Sequence, residues 1–170
     1  MNSGESMSGT DYRRRGYIEI EELKKLGLIP PKDRLEKGPV AVLECPEQIP
    51  CNICVPFCPT KAIQMERIID IPRVDWNKCT GCGVCVAVCP GLAAFVVDLS
   101  KPEADYVTLP YEFHPVPVKG DNVVLLSRRG ERIGAGEVIR VWERNKTYVV
   151  TVKVPKGFGM EVRGIWVERR

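Results

Sequence analysis

The sequence predicts an α+β chain, in which a small cysteine-bearing α+β unit is followed by a small all-β barrel. Three observations carry this reading. The eight cysteines fall in two blocks, Cys45-x5-Cys51-x2-Cys54-x3-Cys58-Pro59 and Cys79-x2-Cys82-x2-Cys85-x3-Cys89-Pro90. The blocks repeat: Cys51 and Cys82, Cys54 and Cys85, and Cys58 and Cys89 each stand 31 positions apart, and a short apolar run follows each block. A repeat of this period reads as a duplicated supersecondary unit. The last third of the chain alternates apolar and polar residues between turn-forming ones, most cleanly over 148–154, as half-buried strands do.

The elements follow in order. Residues 1–16 are rich in Ser, Gly and Arg and predict a disordered tail, in which Met7 also suits a start site and Arg13-Arg14-Arg15 is solvated. Over 18–28, Ile20, Leu23 and Leu26 share one stripe of an amphipathic helix that Gly27 and Pro30-Pro31 stop. That helix either packs on its own domain or docks on a partner. Residues 39–45 enter the first cysteine block as a strand. Short strands follow at 63–69 and 72–75, joined by a turn at Asp70-Ile71-Pro72, and another strand at 93–99 leaves the second block. Pro110, Pro115 and Pro117 mark 108–120 as an extended connection. Beyond it, strands are expected at 123–126, 137–143, 148–154 and 164–167, with turns at 128–131 and 144–147 and a helical turn at 156–162. Several short strands in so few residues predict a small SH3-like or OB-like barrel. The division is then 1–37 (tail and short docking helix), 38–107 (cysteine-bearing domain) and 108–170 (barrel).

The cysteine spacing carries the chemistry. A thiolate at every third residue lets a tight loop offer three ligands to three irons of one cuboidal iron–sulfur cluster. The x3 step then carries the chain away, and the proline prevents the loop from continuing. In runs of this kind the fourth cysteine ligates the other cluster. This assigns cluster I to Cys45, Cys51, Cys54 and Cys89, and cluster II to Cys79, Cys82, Cys85 and Cys58, with no thiol left over. Cys45 and Cys79 are 34 positions apart, so the first block holds a three-residue insertion within Pro46-Glu47-Gln48-Ile49-Pro50. Were Cys45 to miss its iron, cluster I would be a three-iron cluster or hold an exchangeable iron. Gly81 and Gly83 let the backbone curl around the sulfurs, and Trp76 is placed to shield cluster II from water. Zinc sites call for paired knuckles with longer spacers, and a Rieske centre needs two histidines where the chain has only His114. His114 itself, set among prolines, reads as a surface residue.

Over residues 40–100 the chain resembles a dicluster bacterial ferredoxin, with Val74-Asp75-Trp76-Asn77-Lys78-Cys79-Thr80-Gly81-Cys82-Gly83-Val84-Cys85 close to that family's second cluster loop. The resemblance implies a ferredoxin-like fold with two [4Fe–4S] clusters and an electron-transfer role. The stretch KGPVAVLECPEQIPCNICVPFCPTKAI, joined to a short β-domain, is similar to small dicluster subunits of FAD-dependent amino-acid and amine dehydrogenases of proline, sarcosine or opine type. That likeness implies a hetero-oligomer with FAD-containing dehydrogenase subunits, and with it a [2Fe–2S] protein.

Composition narrows the function classes. The 44% hydrophobic content suffices for a core, and no apolar stretch approaches a membrane span. With no secretion signal, a cytoplasmic protein is expected and a disulfide scaffold is not. Residues 106–170 hold twelve Lys and Arg against seven Asp and Glu, whereas the remainder holds thirteen against fifteen. This balance suits a fixed subunit better than the freely diffusing, acidic ferredoxin that is the first alternative. A nucleic-acid-binding barrel is the second alternative. It would use aromatic platforms, but Trp142, Tyr148, Phe158 and Trp166 are equally explained as core or rim. Gly134-Ala135-Gly136 lacks the context of a nucleotide loop and reads as a bulge or turn. No nucleophile–base set or carboxylate pair appears, so no catalytic site is expected.

Overall fold

A computed structural model describes residues 12–168. Most of the expected tail, Met7 included, lies outside the described residues. Three short helices open the described chain: α1 (Tyr12–Arg15), α2 (Ile20–Lys25) and α3 (Lys32–Leu35). The Glu19 N–H donates to the Glu22 carboxylate at 2.9 Å, which caps the start of α2, and Gly27 at φ +66° ends it. Leu23 is fully buried, so α2 packs on its own chain. The arginine run is not solvated throughout, in contrast to the expectation from sequence. Arg13 makes a forked pair with Glu47 at 2.8 and 3.0 Å, and Arg15 pairs with Glu22.

The remaining elements are β1 (Val40–Leu43), α4 (Cys54–Phe57), β2 (Ile63–Gln64), β3 (Arg73–Val74), α5 (Val84–Val88), β4 (Ala94–Asp98), β5 (Asp105–Tyr111), β6 (Asn122–Leu126), β7 (Arg132–Arg144), β8 (Thr147–Val154) and β9 (Gly164–Trp166). Seven strands form one antiparallel sheet in the order β1-β4-β5-β8-β7-β6-β9, and β2 and β3 form a separate hairpin. In place of the small SH3-like or OB-like barrel expected over 108–170, the described residues form one large sheet that does not close: β1 and β9 lie at its opposite ends and do not pair. The two halves of the chain instead share the sheet. β5 carries the sheet into the first residues of the expected connection, pairing with β4 at Val96↔Thr108 and with β8 at Thr108↔Thr151. The Gly134 region lies inside β7, where the β6 register shifts between Leu125 and Leu126. This is the bulge that its glycines suggest.

The sheet buries both faces. Val107, Leu109, Val123, Leu125, Val150 and Ile165 meet in a core drawn from β5 through β9. On the opposite face Val149 packs with Val86, Ala87 and Cys85 of the second cysteine loop and with Ala41 and Leu43 of β1. Val149 and Val150, neighbours on β8, are each fully buried, one on each face. A third cluster, Leu35, Val40, Val42 and Val97, fixes α3 against β1 and β4.

Candidate metal centre

The two cysteine blocks fold as near-copies. Each ends in a short helix, α4 or α5, and each fourth cysteine leaves that helix extended, Cys58 at φ −74°, ψ 111° and Cys89 at φ −73°, ψ 110°. Four residues further on, the Ala62 N–H donates to Cys58 Sγ at 3.2 Å and the Ala93 N–H to Cys89 Sγ at 3.3 Å. The intervening Lys61 and Leu92 take the same left-handed conformation, φ 53° and 51°. The repeat thus extends to backbone detail, and its purpose at these positions is to aim an N–H at a sulfur.

The second loop wraps tightly. Gly81 and Gly83 both have positive φ. A Cβ on Gly81 would stand 2.5 Å from Pro39 Cβ and 2.7 Å from its carbonyl atoms, so the loop touches backbone there. At Gly83 a Cβ would reach the Trp142 ring at 3.5 Å and Val149 at 3.8 Å, which seats the loop on β7 and β8. The Ala41 N–H donates to Cys79 Sγ at 3.3 Å. In the first loop the insertion is anchored at Cys51, whose N–H is shared between the Ile49 carbonyl at 2.7 Å and the Ile68 carbonyl at 3.1 Å.

One cavity is lined by Cys58, Cys79, Cys82 and Cys85, walled by Ala41, Ile63 and Val96. Cys85 is buried and Cys82 exposed. Electrostatics couple the remaining four thiols. Burial pushes Cys45 up, and so do the neighbouring Cys89 and Cys51. Burial and Cys89 push Cys54 up to about 11, with Cys51 and Cys45 adding to it. Cys85 is raised by burial, then by Cys79, Cys82 and Cys54. Burial also raises Cys58, but hydrogen bonds from Thr60, Ile63 and Ala62 outweigh it and the net shift is downward. Thiols held up in this way ionise when a cation replaces the proton, so loading the site releases protons. Among the described residues no group of three or more His, Cys, Asp or Glu converges on a single-ion position. The chemistry of the donor set fits two cuboidal clusters: eight thiols, with backbone N–H groups aimed at three of the sulfurs.

Charged residues that the cysteine pattern did not reveal surround the loops. Glu44, next to Cys45, accepts a forked pair from Arg128 at 2.7 and 2.7 Å and a further bond from Arg163 Nε at 2.8 Å. All three side chains are buried. Burial raises the Glu44 carboxyl, but Arg163 and Arg128 hold it below its usual range. Burial lowers Arg163 to about 10 against the pull of Glu44. Arg34 of α3 donates to backbone carbonyls at the start of the second loop, those of Trp76 and Cys79. Trp76 and Cys79 also pack against the cluster that fixes α3. His114 is exposed. No helix among the described residues is long and apolar enough to cross a membrane.

Residues 49–93 match the family model described as a 4Fe-4S dicluster domain. Seven of the eight cysteines lie inside that match, and Cys45 lies just ahead of it. The chain is 49% identical over 47 residues to the methylamine utilization ferredoxin-type protein MauM of Methylobacillus flagellatus, which is 23% of this chain and 20% of that protein. It is 43% identical over 42 residues to a component of the ion-translocating oxidoreductase complex of Methanosarcina acetivorans, 25% of this chain and 15% of the relative. It is 38% identical over 42 residues to pyruvate synthase subunit PorD of Methanothermobacter marburgensis, 25% of this chain and 46% of the relative. The chain thus spans less than half the length of each of these relatives. No solved structure matches it. The duplicated loops, their two sets of sulfurs and the family match lead to one conclusion: this chain contains a dicluster ferredoxin domain, built for two [4Fe–4S] clusters.

Proposed function

We propose that the chain is an electron-transfer subunit in which Cys45, Cys51, Cys54 and Cys89 hold one cluster and Cys58, Cys79, Cys82 and Cys85 hold the other. The carrying observation is the cavity that joins Cys58 of the first loop to three cysteines of the second. Each [4Fe–4S] cluster carries one electron at a time. The chain's own residues hold the two sites at fixed separation, exclude water from the buried sulfurs and direct N–H groups at Cys58, Cys79 and Cys89. Cys54 and Cys89 of one set pack against the same buried cluster as Cys58, Cys79 and Cys85 of the other, which supports adjoining sites that act in series.

Two of the relatives are named as subunits, one of an ion-translocating oxidoreductase complex and one of a pyruvate synthase, which supports a role inside a complex. The partner we propose is a cytoplasmic FAD-dependent dehydrogenase of proline, sarcosine or opine type. Its flavin collects two electrons and releases them singly through this chain to an external acceptor. In that assembly the dicluster unit spans residues 38–107, and the flanking segments 1–37 and 108–170 serve to dock it. Anaerobic analysis should find about eight irons and eight sulfides per chain, and reductive titration should develop the EPR signals of two interacting [4Fe–4S] clusters. Zinc in their place, or no such signals, would remove the reading. Purification from the native host without any co-eluting flavoprotein would remove the proposed partner and leave the electron-transfer role standing.

A further inference from the structure

Arg34 makes four hydrogen bonds, and every acceptor is a backbone carbonyl. Its Nε donates to Trp76 O at 2.8 Å and its Nη1 to Gly38 O at 3.1 Å. Its Nη2 donates to Pro39 O at 3.1 Å and to Cys79 O at 2.8 Å. The fork therefore ties two stretches of chain together. One is the entry to β1, where the Ala41 N–H reaches Cys79 Sγ. The other is the run from Trp76 to Cys79 that opens the second cysteine loop. Pro39 is also the residue that Gly81 touches, so this contact and the Arg34 fork clamp the same seam from two sides.

The charge of Arg34 is uncompensated. Among the described residues no carboxylate pairs with it. The acidic residues beside Arg34 and beside its acceptor Trp76 are engaged elsewhere: Asp33 with Lys37 at 3.1 Å, Glu36 with Lys32 at 3.7 Å and Asp75 with Lys78 at 3.1 Å. An arginine is always protonated, and a half-buried cation acts on a nearby charge more strongly than one in water. Reduction adds one electron, and one unit of negative charge, to a cluster without making or breaking a bond. A fixed positive charge on the carbonyl of Cys79 favours that gain.

We infer that Arg34 is the positioning and tuning residue of the cluster held by Cys58, Cys79, Cys82 and Cys85, setting its potential above that of an otherwise equal site. The inference rests on the ligand sets proposed above. The test is an anaerobic EPR-monitored redox titration of the full cluster-loaded chain, with signals assigned through Cys51→Ser and Cys82→Ser. Arg34→Gln should lower the midpoint of the Cys79 cluster by about 59 mV, a tenfold change in its reduction equilibrium, and move the other cluster less. Arg34→Lys keeps the charge but loses the fork, so it should retain both clusters and shift the same midpoint part of the way. Lys32→Gln, an equal charge change at an exposed site on the same helix, should move neither. An unmoved Cys79-cluster midpoint in Arg34→Lys and Arg34→Gln would overturn the inference. So would equal shifts of both clusters, or a matching shift in Lys32→Gln. If Arg34→Gln does not fold, Arg34→Lys decides alone. A wild-type chain without [4Fe–4S] signals would instead count against the electron-transfer reading itself.

Discussion

Gly81→Ala concentrates its damage at one seam. The residue sits at φ +65°, and an added Cβ would lie 2.5 Å from Pro39 Cβ and 2.7 Å from both Pro39 C and O. Real contacts of this kind are not that short, so one side must move. Pro39 has little room: its carbonyl is held by Arg34, and the next residue, Val40, starts β1 and is fully buried. The left-handed conformation costs an alanine roughly 1–2 kcal/mol, and forcing overpacked atoms apart adds roughly 1–3 kcal/mol. The expected loss is about 2–5 kcal/mol, or roughly 5–15 °C in the apparent unfolding midpoint of a chain this size. Gly91 supplies the control. It occupies the position that Thr60 holds in the first repeat, and a Cβ there meets nothing within 4 Å, so Gly91→Ala should stay within about 0.5 kcal/mol of wild type. Anaerobic unfolding followed by visible absorbance and far-UV circular dichroism reads both variants. A Gly81→Ala protein with the wild-type midpoint and full iron would refute the claim that the loop is packed against Pro39.

Three further outcomes are expected. Glu44→Gln leaves the buried Arg128 and Arg163 without their counter-charge and should cost about 3–5 kcal/mol in denaturant unfolding at neutral pH. Because the folded carboxyl is held below the ordinary value of 4.5, its contribution is complete above that pH and is lost as pH falls through the lower folded value. The gap between wild type and variant should therefore be level from neutral pH down to about pH 5 and close below it; a gap that widens in acid would contradict the ion-pair account. Cys58→Ser should perturb the EPR signal shared with Cys79, Cys82 and Cys85, and Cys89→Ser the other one. Uncrossed effects would reverse the ligand sets. Removing the metal should raise amide exchange through α4, α5 and the two cysteine loops while β5 to β8 stay protected, since the core on that face of the sheet contains no cysteine; uniform loss of protection would show a single cooperative unit.

The two repeated cysteine loops were legible because they are local. Ligand spacing, the 31-residue repeat and the turn glycines all act within short stretches of chain, and the sequence displays them directly. The sheet was less legible, and Pro110 shows why. A proline reads as a break because it has no N–H to donate, yet here it pairs opposite Val149 inside β5. It is tolerated because β4 pairs only with Tyr106, Val107 and Thr108. Past that point β5 has a free edge, and a missing donor there leaves no ladder bond unmade. The buried charges were illegible for a different reason. Glu44 finds Arg128 and Arg163 at separations of 84 and 119 residues, and no periodicity or spacing rule reaches so far. Arg34 likewise looked like part of a flanking segment, because carbonyl acceptors leave no mark in a sequence.

These long-range contacts explain what the C-terminal strands contribute. A ferredoxin unit that gives its interior to two clusters has little apolar volume left for a core of its own. Here the second loop leans on Trp142 and Val149, which belong to strands whose other face is a conventional hydrophobic core. Because Val149 and Val150 are adjacent on one strand and buried in different clusters, the loop rests on a strand that the core on the other face holds in place. Buried Glu44 adds a second tie, joining the residue before Cys45 to arginines just after β6 and just before β9. The sheet therefore acts as a rigid backing for the cysteine loops. Fixed sulfur positions and fixed neighbouring charges are what electron relay between adjoining sites requires, because geometry that does not relax costs little reorganisation when the charge moves.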